Sequence, residues 1–225
     1  MKKGIVSTGS KEATQAGIEM LHLGGNAFDA AIASVFTSMT SEFALTGVGG
    51  GGSMMCHIKG NSPIIYDFFV DTPPRLAVKE LDFFGVDVDF GDSVQTFHVG
   101  KGSAAVPGTL LGLITVHEKH GVLPLSTILE PAIELARIGS ILNKEQSYVF
   151  QLLDPIFSHT MEGKKLFHLN GSIMKEGDRF QNLDFSMFLE RIAKEGSSFF
   201  YLGDGSALIA KTALASELIL FHLSD

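Results

Sequence analysis

Apolar residues along this chain recur mostly at helical spacing, with only short alternating stretches, so the pattern predicts helices packed on a small amount of sheet. Residues Gly4 to Thr8 read as a short strand. Ser7 or Ser10 can then cap a helix whose apolar face carries Ala13, Ala16, Met20 and Leu23, stopped by Gly24-Gly25. Asn26 caps a second helix, from Ala27 to about Met39. It is apolar nearly all round (Ala27, Phe28, Ala30, Ala31, Ile32, Ala33, Val35, Phe36), which places it at the centre of a domain. It is too short, and too interrupted by Asp29, Ser34 and Thr37, to span a membrane.

A glycine-rich run from Thr46 to Gly52 follows, and then Ser53 to Ile58 and Pro63 to Phe69 read as two strands joined by the turn Lys59-Gly60-Asn61-Ser62. Thr72 to Val106, with Pro73, Pro74 and scattered Asp and Gly, is predicted to be irregular. Helices resume at about Thr109 to Lys119, closed by Gly121, and at Ser126 to Ile138, closed by Gly139, with Pro131 marking a kink or a restart. Asn182 or Asp184 opens a further helix that turns Leu189, Ile192 and Ala193 inward and ends at Gly196; a last one runs from about Ser206 to Leu218. No internal repeat, low-complexity tract or linker breaks the chain. The order predicts a sheet with helices packed on it, not a regularly alternating doubly wound parallel sheet.

Composition narrows the function classes. The 225 residues are 45% hydrophobic, enough for one sizeable core. Seventeen basic residues against 25 acidic give a net charge of −8 with no basic run, which argues against nucleic acid as a partner. The apolar run Gly4-Ile5-Val6 near the start is far shorter than a signal core, so a soluble chain, cytoplasmic by default, is expected. Cys56 is the only cysteine, which excludes an intrachain disulfide; within Met54-Met55-Cys56 it reads as a small buried hydrophobe rather than a thiol nucleophile. Glycines number 25 and are clustered, which implies close backbone approaches in a folded protein rather than a linker.

The candidate motifs mostly eliminate chemistry. Gly49-Gly50-Gly51-Gly52 lacks the Gly-Lys-Ser/Thr ending of a phosphate loop and leads into a strand, so it reads as a structural turn where bare amides approach another segment or a carboxylate. The eight histidines show no metal-binding spacing; His117 and His120 could pair on a helix end, but beside Glu118 and Lys119 a solvated end is the favoured reading. Asp67, Asp71, Asp87, Asp89 and Asp92 form a loose acidic series that only partly matches a calcium loop and reads as solvated. No Gly-x-Ser-x-Gly elbow occurs, which weighs against an α/β-hydrolase. Neither a metal nor a cofactor is expected.

Gly24-Gly25-Asn26-Ala27-Phe28-Asp29-Ala30-Ala31 resembles the Gly-Gly-Asn-Ala-x-Asp-Ala-Ala signature of gamma-glutamyltransferases. The resemblance continues in order through Gly47-Val48-Gly49-Gly50-Gly51, Asp67 to Pro73, Val106-Pro107-Gly108, Glu130-Pro131-Ala132-Ile133-Glu134-Leu135-Ala136 with Gly139, Phe200-Tyr201-x-Gly203 and Leu223-Ser224-Asp225. It implies an α/β (α+β) chain forming part of a four-layer αββα N-terminal-nucleophile hydrolase fold, helix-rich in its second half. It implies a precursor that cuts itself, and a terminal threonine of the small subunit that attacks gamma-glutamyl amides of the glutathione type. The acyl group then passes to water or to an amino acid. That nucleophile has no counterpart among these residues. The chain is therefore expected to be a single incomplete domain, 1–225, resembling part of a large subunit and needing a nucleophile-bearing partner segment. No catalytic residue is expected within it. The family is often periplasmic or secreted, which leaves the compartment open.

One position departs from the family pattern. Where the family carries an arginine that grips the substrate's α-carboxylate, this chain has Phe69, and a phenyl ring cannot make a guanidinium's bidentate contact. Phe69, Asp71 and Arg75 are thus the candidate pocket residues, with Arg75 the candidate replacement cation and a solvated loop arginine its simpler reading. A related acylase acting on β-lactam side chains or other amides, and a non-catalytic remnant, remain as alternatives.

Overall fold

The computed structural model describes residues 4–72 and 82–214. Residues 4–8 do not form the predicted strand: they have no ladder partner among the described residues, and Ile5 is almost wholly exposed. Extended sequence alone does not make a strand, because the backbone groups need a neighbour to pair with.

Helix α1 (Lys11–His22) starts at Ser10, whose side chain accepts the Ala13 N–H. Ala13, Ala16, Gly17 and Met20 are buried, whereas Leu23, expected on the same face, caps the helix and is exposed. Gly24 follows at φ +91°, the left-handed conformation that ends helices at low cost when no Cβ is present. Helix α2 (Ala27–Ser41) outlasts its predicted end by two residues and is the most buried element. Ile32, Ala33, Phe36 and Met39 are fully enclosed. Each large apolar side chain of this kind stabilises the fold by about 1.5–3 kcal/mol.

The predicted hairpin forms. Strands β1 (Gly52–Cys56) and β2 (Ile64–Phe68) pair antiparallel from Gly52↔Phe68 to Cys56↔Ile64, with Gly60 at φ +90° in the turn. The segment expected to be irregular holds a second hairpin, β3 (Phe84–Asp89) with β4 (Val94–Val99). Its signals are alternating Phe84, Val86 and Val88, the last fully buried, and a tight turn at Gly91 (φ +91°). Interleaved aspartates hide that alternation. Asp87 and Asp89 are exposed, and their carboxylates accept from Thr96 Oγ1 at 2.6 Å and Gly91 N–H at 2.8 Å.

Helix α3 (Thr109–His120) and helix α4 (Leu125–Ile138) are as predicted, except that α4 runs through Pro131 as one element and does not restart. The two-residue strands β5 (Ser140–Ile141) and β8 (Arg179–Phe180) pair across α5 (Lys144–Phe157), α6 (Met161–Phe167), and the small hairpin of β6 (His168–Leu169) and β7 (Ser172–Ile173). Helix α7 (Leu183–Glu195) is capped by Asn182 and ends at Gly196, followed by α8 (Ser198–Tyr201) and α9 (Asp204–Leu214). The last starts two residues before the predicted Ser206, and the rest of that predicted helix lies outside the described residues.

Two cores result. The larger joins α1, α2, α3, α4 and α7 with the inner side of β1–β2. The smaller gathers Leu142, Phe150, Phe167, Met174 and Phe180 against Phe43. Helix and strand are mixed, and helices dominate after residue 109.

Candidate functional site

The two ends of the Gly-Gly-Asn-Ala block do different work. Asn26 Oδ1 accepts the Phe28 and Asp29 N–H groups, and Asp29 Oδ2 accepts the Asn26 N–H at 2.8 Å, a reciprocal cap. Asp29 is fully buried and reaches further: its carboxylate also takes the Val122 and Leu123 N–H groups of the α3–α4 turn. Asn26 Nδ2 donates to the His120 carbonyl at 2.7 Å. The cap predicted from sequence is therefore also a clamp between segments more than 90 residues apart.

The histidines of α3 are neither a metal pair nor a solvated end. His117 Nε2 lies 2.8 Å from the Leu123 carbonyl. His120 Nε2 lies 2.7 Å from the Tyr66 hydroxyl, and its ring stacks on Phe28 at 4.6 Å. Tyr66 sits on β2, so this contact fastens the hairpin to the helices; its sequence signal was too distributed to read. Among the described residues no group of three or more His, Cys, Asp or Glu is placed to hold a metal.

The site candidates meet at the end of β2, where three stretches of main chain touch. The Gly50 carbonyl accepts both the Gly108 and the Thr109 N–H at 3.1 Å, joining the glycine turn to the start of α3. A Cβ at Gly51 would lie 2.3 Å from the Val70 nitrogen, and one at Gly108 would lie 2.2 Å from the Phe68 carbonyl oxygen. One at Gly112, a turn further along α3, would overlap the Phe68 ring at 2.2 Å. The four turn glycines are not equivalent: Gly51 is required by close approach, a Cβ at Gly52 would lie 3.2 Å from the Phe68 ring, and Gly49 has nothing within 4 Å of where a Cβ would be. Tyr201 locks the far side of the junction. Its hydroxyl donates to the Pro107 carbonyl at 2.8 Å and accepts the Leu111 N–H at 3.3 Å. Burial pushes this phenol up from its ordinary pKa, with the Leu111 N–H opposing.

On this base Phe69 projects, 71% exposed, its N–H held by Asp67 Oδ1 at 3.1 Å. Asp71 exchanges both backbone hydrogen bonds with Val106 and turns its carboxylate to the Thr72 N–H at 2.7 Å. Phe69 and Asp71 thus stand together at the strand end, and Arg75 lies outside the described residues. By strand alternation Phe69 continues the face of Ile65 and Asp67, opposite the side that packs on the helices. Ile65 pairs in register with Met55, and these two are 64% and 73% exposed; with the exposed Ser53–Asp67 pair beside them the outer face is mixed, and its apolar side chains are uncovered by the described residues. Cys56, on the inner face, is buried, and burial pushes its thiol pKa up. A cleft of about 780 Å³ opens from the glycine turn at Gly49 toward Lys165 on α6 and Asn182 at the start of α7.

Comparison with known proteins gives a consistent picture. A family model described as gamma-glutamyltranspeptidase matches residues 13–220. The chain is 30% identical over 213 residues to a glutathione hydrolase proenzyme of Escherichia coli, covering 93% of this chain and 36% of that protein. It therefore spans about a third of the length of the curated relatives it matches. The structure superposes on gamma-glutamyltranspeptidase of Helicobacter pylori with a TM-score of 0.83 and 29% identity, over 98% of this chain and 62% of that one. Cephalosporin acylase from Bacillus halodurans shares the fold, with a TM-score of 0.81 and 21% identity over 98% of this chain and 42% of that one.

Proposed function

Because the chain belongs to the gamma-glutamyltranspeptidase family, and so has its N-terminal-nucleophile hydrolase fold, we propose that it builds one wall of a pocket in which gamma-glutamyl amides are cleaved. The attacking group is donated by a segment outside these residues. That segment's terminal threonine hydroxyl adds to the amide carbonyl, the amine leaves with a proton, and the resulting ester is opened by water or by an amino acid. The observation that carries this reading is the family match over 13–220 falling on a strand end fixed by main-chain contacts, with Phe69 and Asp71 projecting from it. The exposed Met55, Ile65 and Phe69 on the outer side of β1–β2 support it too, since large apolar side chains left uncovered on a sheet are what a second sheet packs against.

The test uses gamma-glutamyl-p-nitroanilide. The chain together with its nucleophile-bearing segment releases p-nitroaniline; the chain alone releases none, and turnover by the chain alone refutes the proposal.

A second reading has a specific observation behind it. An exposed Phe69 offers no cation to an α-carboxylate, and losing such a charge-assisted contact costs about 2–5 kcal/mol. An amide with an apolar acyl group then becomes the better substrate. A side-by-side panel of gamma-glutamyl and apolar acyl amides on the complete enzyme separates the two. Phe69→Arg should raise kcat/KM for the gamma-glutamyl substrate at least about tenfold if this position meets the acyl group; no change would remove Phe69 from the pocket.

A further inference from the structure

Helix α3 begins without a cap of its own. Its N-cap residue is Gly108, which has no side chain to accept the amides of the first turn, the role that Ser, Thr, Asp or Asn fills at an ordinary helix start. Glycine is imposed there by the end of β2: a Cβ at 108 would lie 2.2 Å from the Phe68 carbonyl oxygen and 2.9 Å from that of Phe69. The close approach that shapes the platform under Phe69 therefore deprives α3 of its local cap.

Tyr201 supplies one from 90 residues further along the chain. Three of the four amides that a helix start leaves unpaired are taken up from outside: Gly108 and Thr109 donate to the Gly50 carbonyl, each at 3.1 Å, and Leu111 donates to the Tyr201 hydroxyl oxygen at 3.3 Å. Leu111 is the third residue of the helix, a position whose N–H an N-cap side chain ordinarily receives. The Tyr201 hydroxyl in turn donates to the Pro107 carbonyl at 2.8 Å, so one oxygen holds the chain on both sides of Gly108. The adjoining Val106 exchanges both backbone hydrogen bonds with Asp71. Tyr201 is itself held in place. It is 7% exposed and its ring meets Phe200 edge-on at 4.9 Å, while the Arg191 guanidinium lies 4.1 Å over the neighbouring Phe199 and bonds Glu195 and Asp204.

We infer that Tyr201 is a positioning residue for the strand end that carries Phe69 and Asp71. It acts through residues 106–111. With the hydroxyl gone, the Leu111 N–H and the Pro107 carbonyl both lose their partner, and the segment that pairs with Asp71 and abuts Phe68 is released on its far side. The pocket role of that strand end rests on the function proposed above; the link from Tyr201 to it does not.

Hydrogen exchange of the full-length protein, followed by NMR, tests the link without turnover. Tyr201→Phe should lower protection of the Asp71, Val106 and Leu111 amides at least about tenfold more than that of Ile32 and Phe36 in the centre of α2. Ile128→Val, a core change on α4, should lower protection evenly at all of these positions. In the complete enzyme, with its nucleophile-bearing segment, Tyr201→Phe should raise KM for the acyl p-nitroanilide it cleaves about tenfold and leave kcat within about twofold, because a displaced wall weakens binding of substrate and transition state alike. Ile128→Val should move neither constant. An even loss of protection in Tyr201→Phe, or the same selective loss in Ile128→Val, overturns the link; selective loss with an unchanged KM overturns the positioning role. A complete enzyme that cleaves no amide refutes the function proposed above and leaves the exchange result to decide on Tyr201.

Discussion

Gly112 of α3 faces the ring of Phe68, and adding a single methyl group there sets two known effects against each other. Alanine is favoured over glycine inside a helix by about 1 kcal/mol. The new Cβ, however, would lie 2.2 Å from Phe68 Cγ, 2.3 Å from Cδ1 and 2.5 Å from Cβ, well inside the ~3.5 Å of ordinary carbon contact. These atoms are the root of the side chain, not its free end. Phe68 cannot swing away easily, because it pairs with Gly52 across the hairpin and its carbonyl abuts Gly108. Overpacking of this kind costs about 1–3 kcal/mol, and contact with the ring's root puts Gly112→Ala at the upper end. The expected net loss is about 2 kcal/mol once the helical gain is subtracted. Urea unfolding of the full-length protein should show a lower midpoint at unchanged slope, and the melting temperature should fall by about 4–8 °C. In a Phe68→Ala background the clash is gone, so the same substitution should become neutral or stabilising. A neutral or stabilising Gly112→Ala in the wild-type background, or an identical loss in both backgrounds, would refute this account of the junction.

The other expectations concern buried polar groups. Tyr201→Phe removes the hydroxyl shared by the Pro107 carbonyl and the Leu111 N–H and should cost about 1–3 kcal/mol in urea unfolding. Burial raises the Tyr201 phenol in the folded state, so above pH ~10 the unfolded phenol ionises first. The unfolded state then binds fewer protons and stability falls as pH rises, a slope that Tyr201→Phe should lessen. Asp29→Asn keeps the volume but weakens a carboxylate that accepts from Asn26, Val122 and Leu123. A loss of about 2–3 kcal/mol is expected there, seen as a shifted denaturation midpoint. Cys56 is buried with its thiol pushed up, so iodoacetamide at pH 8 should label it only after unfolding; rapid labelling of native protein would contradict its position on the inner face of β1.

The elements most legible in the sequence were those with local punctuation. Asn26, Gly121, Gly139, Asn182 and Gly196 mark helix ends at the positions where the chain turns. The hairpin at Gly60 was readable because its apolar runs flank a short polar turn. The β3–β4 hairpin was not, because Asp87, Asp89 and Asp92 make a half-exposed strand look like a loop. Helices α5 and α6 went unread because much of their stabilisation comes from Phe150, Phe157 and Phe167 meeting one another and Phe180, contacts with no local period. At the site, the resemblance singled out the strand end with Phe69 and Asp71. The Tyr66–His120 contact and the Tyr201 lock join residues 54 and 94 positions apart, which a local pattern does not register.

The meeting of Gly50, Gly51 and Gly108 with the end of β2 bears on how such a site changes over time. Where bare peptide groups abut one another, no side chain is interposed to be enlarged, trimmed or tilted, and mutation has little leverage on the spacing. Variation is channelled into whatever is mounted on that platform, above all the residue at position 69. A protein built this way can exchange the side chain it presents there by a single replacement, while the framework beneath it stays in register.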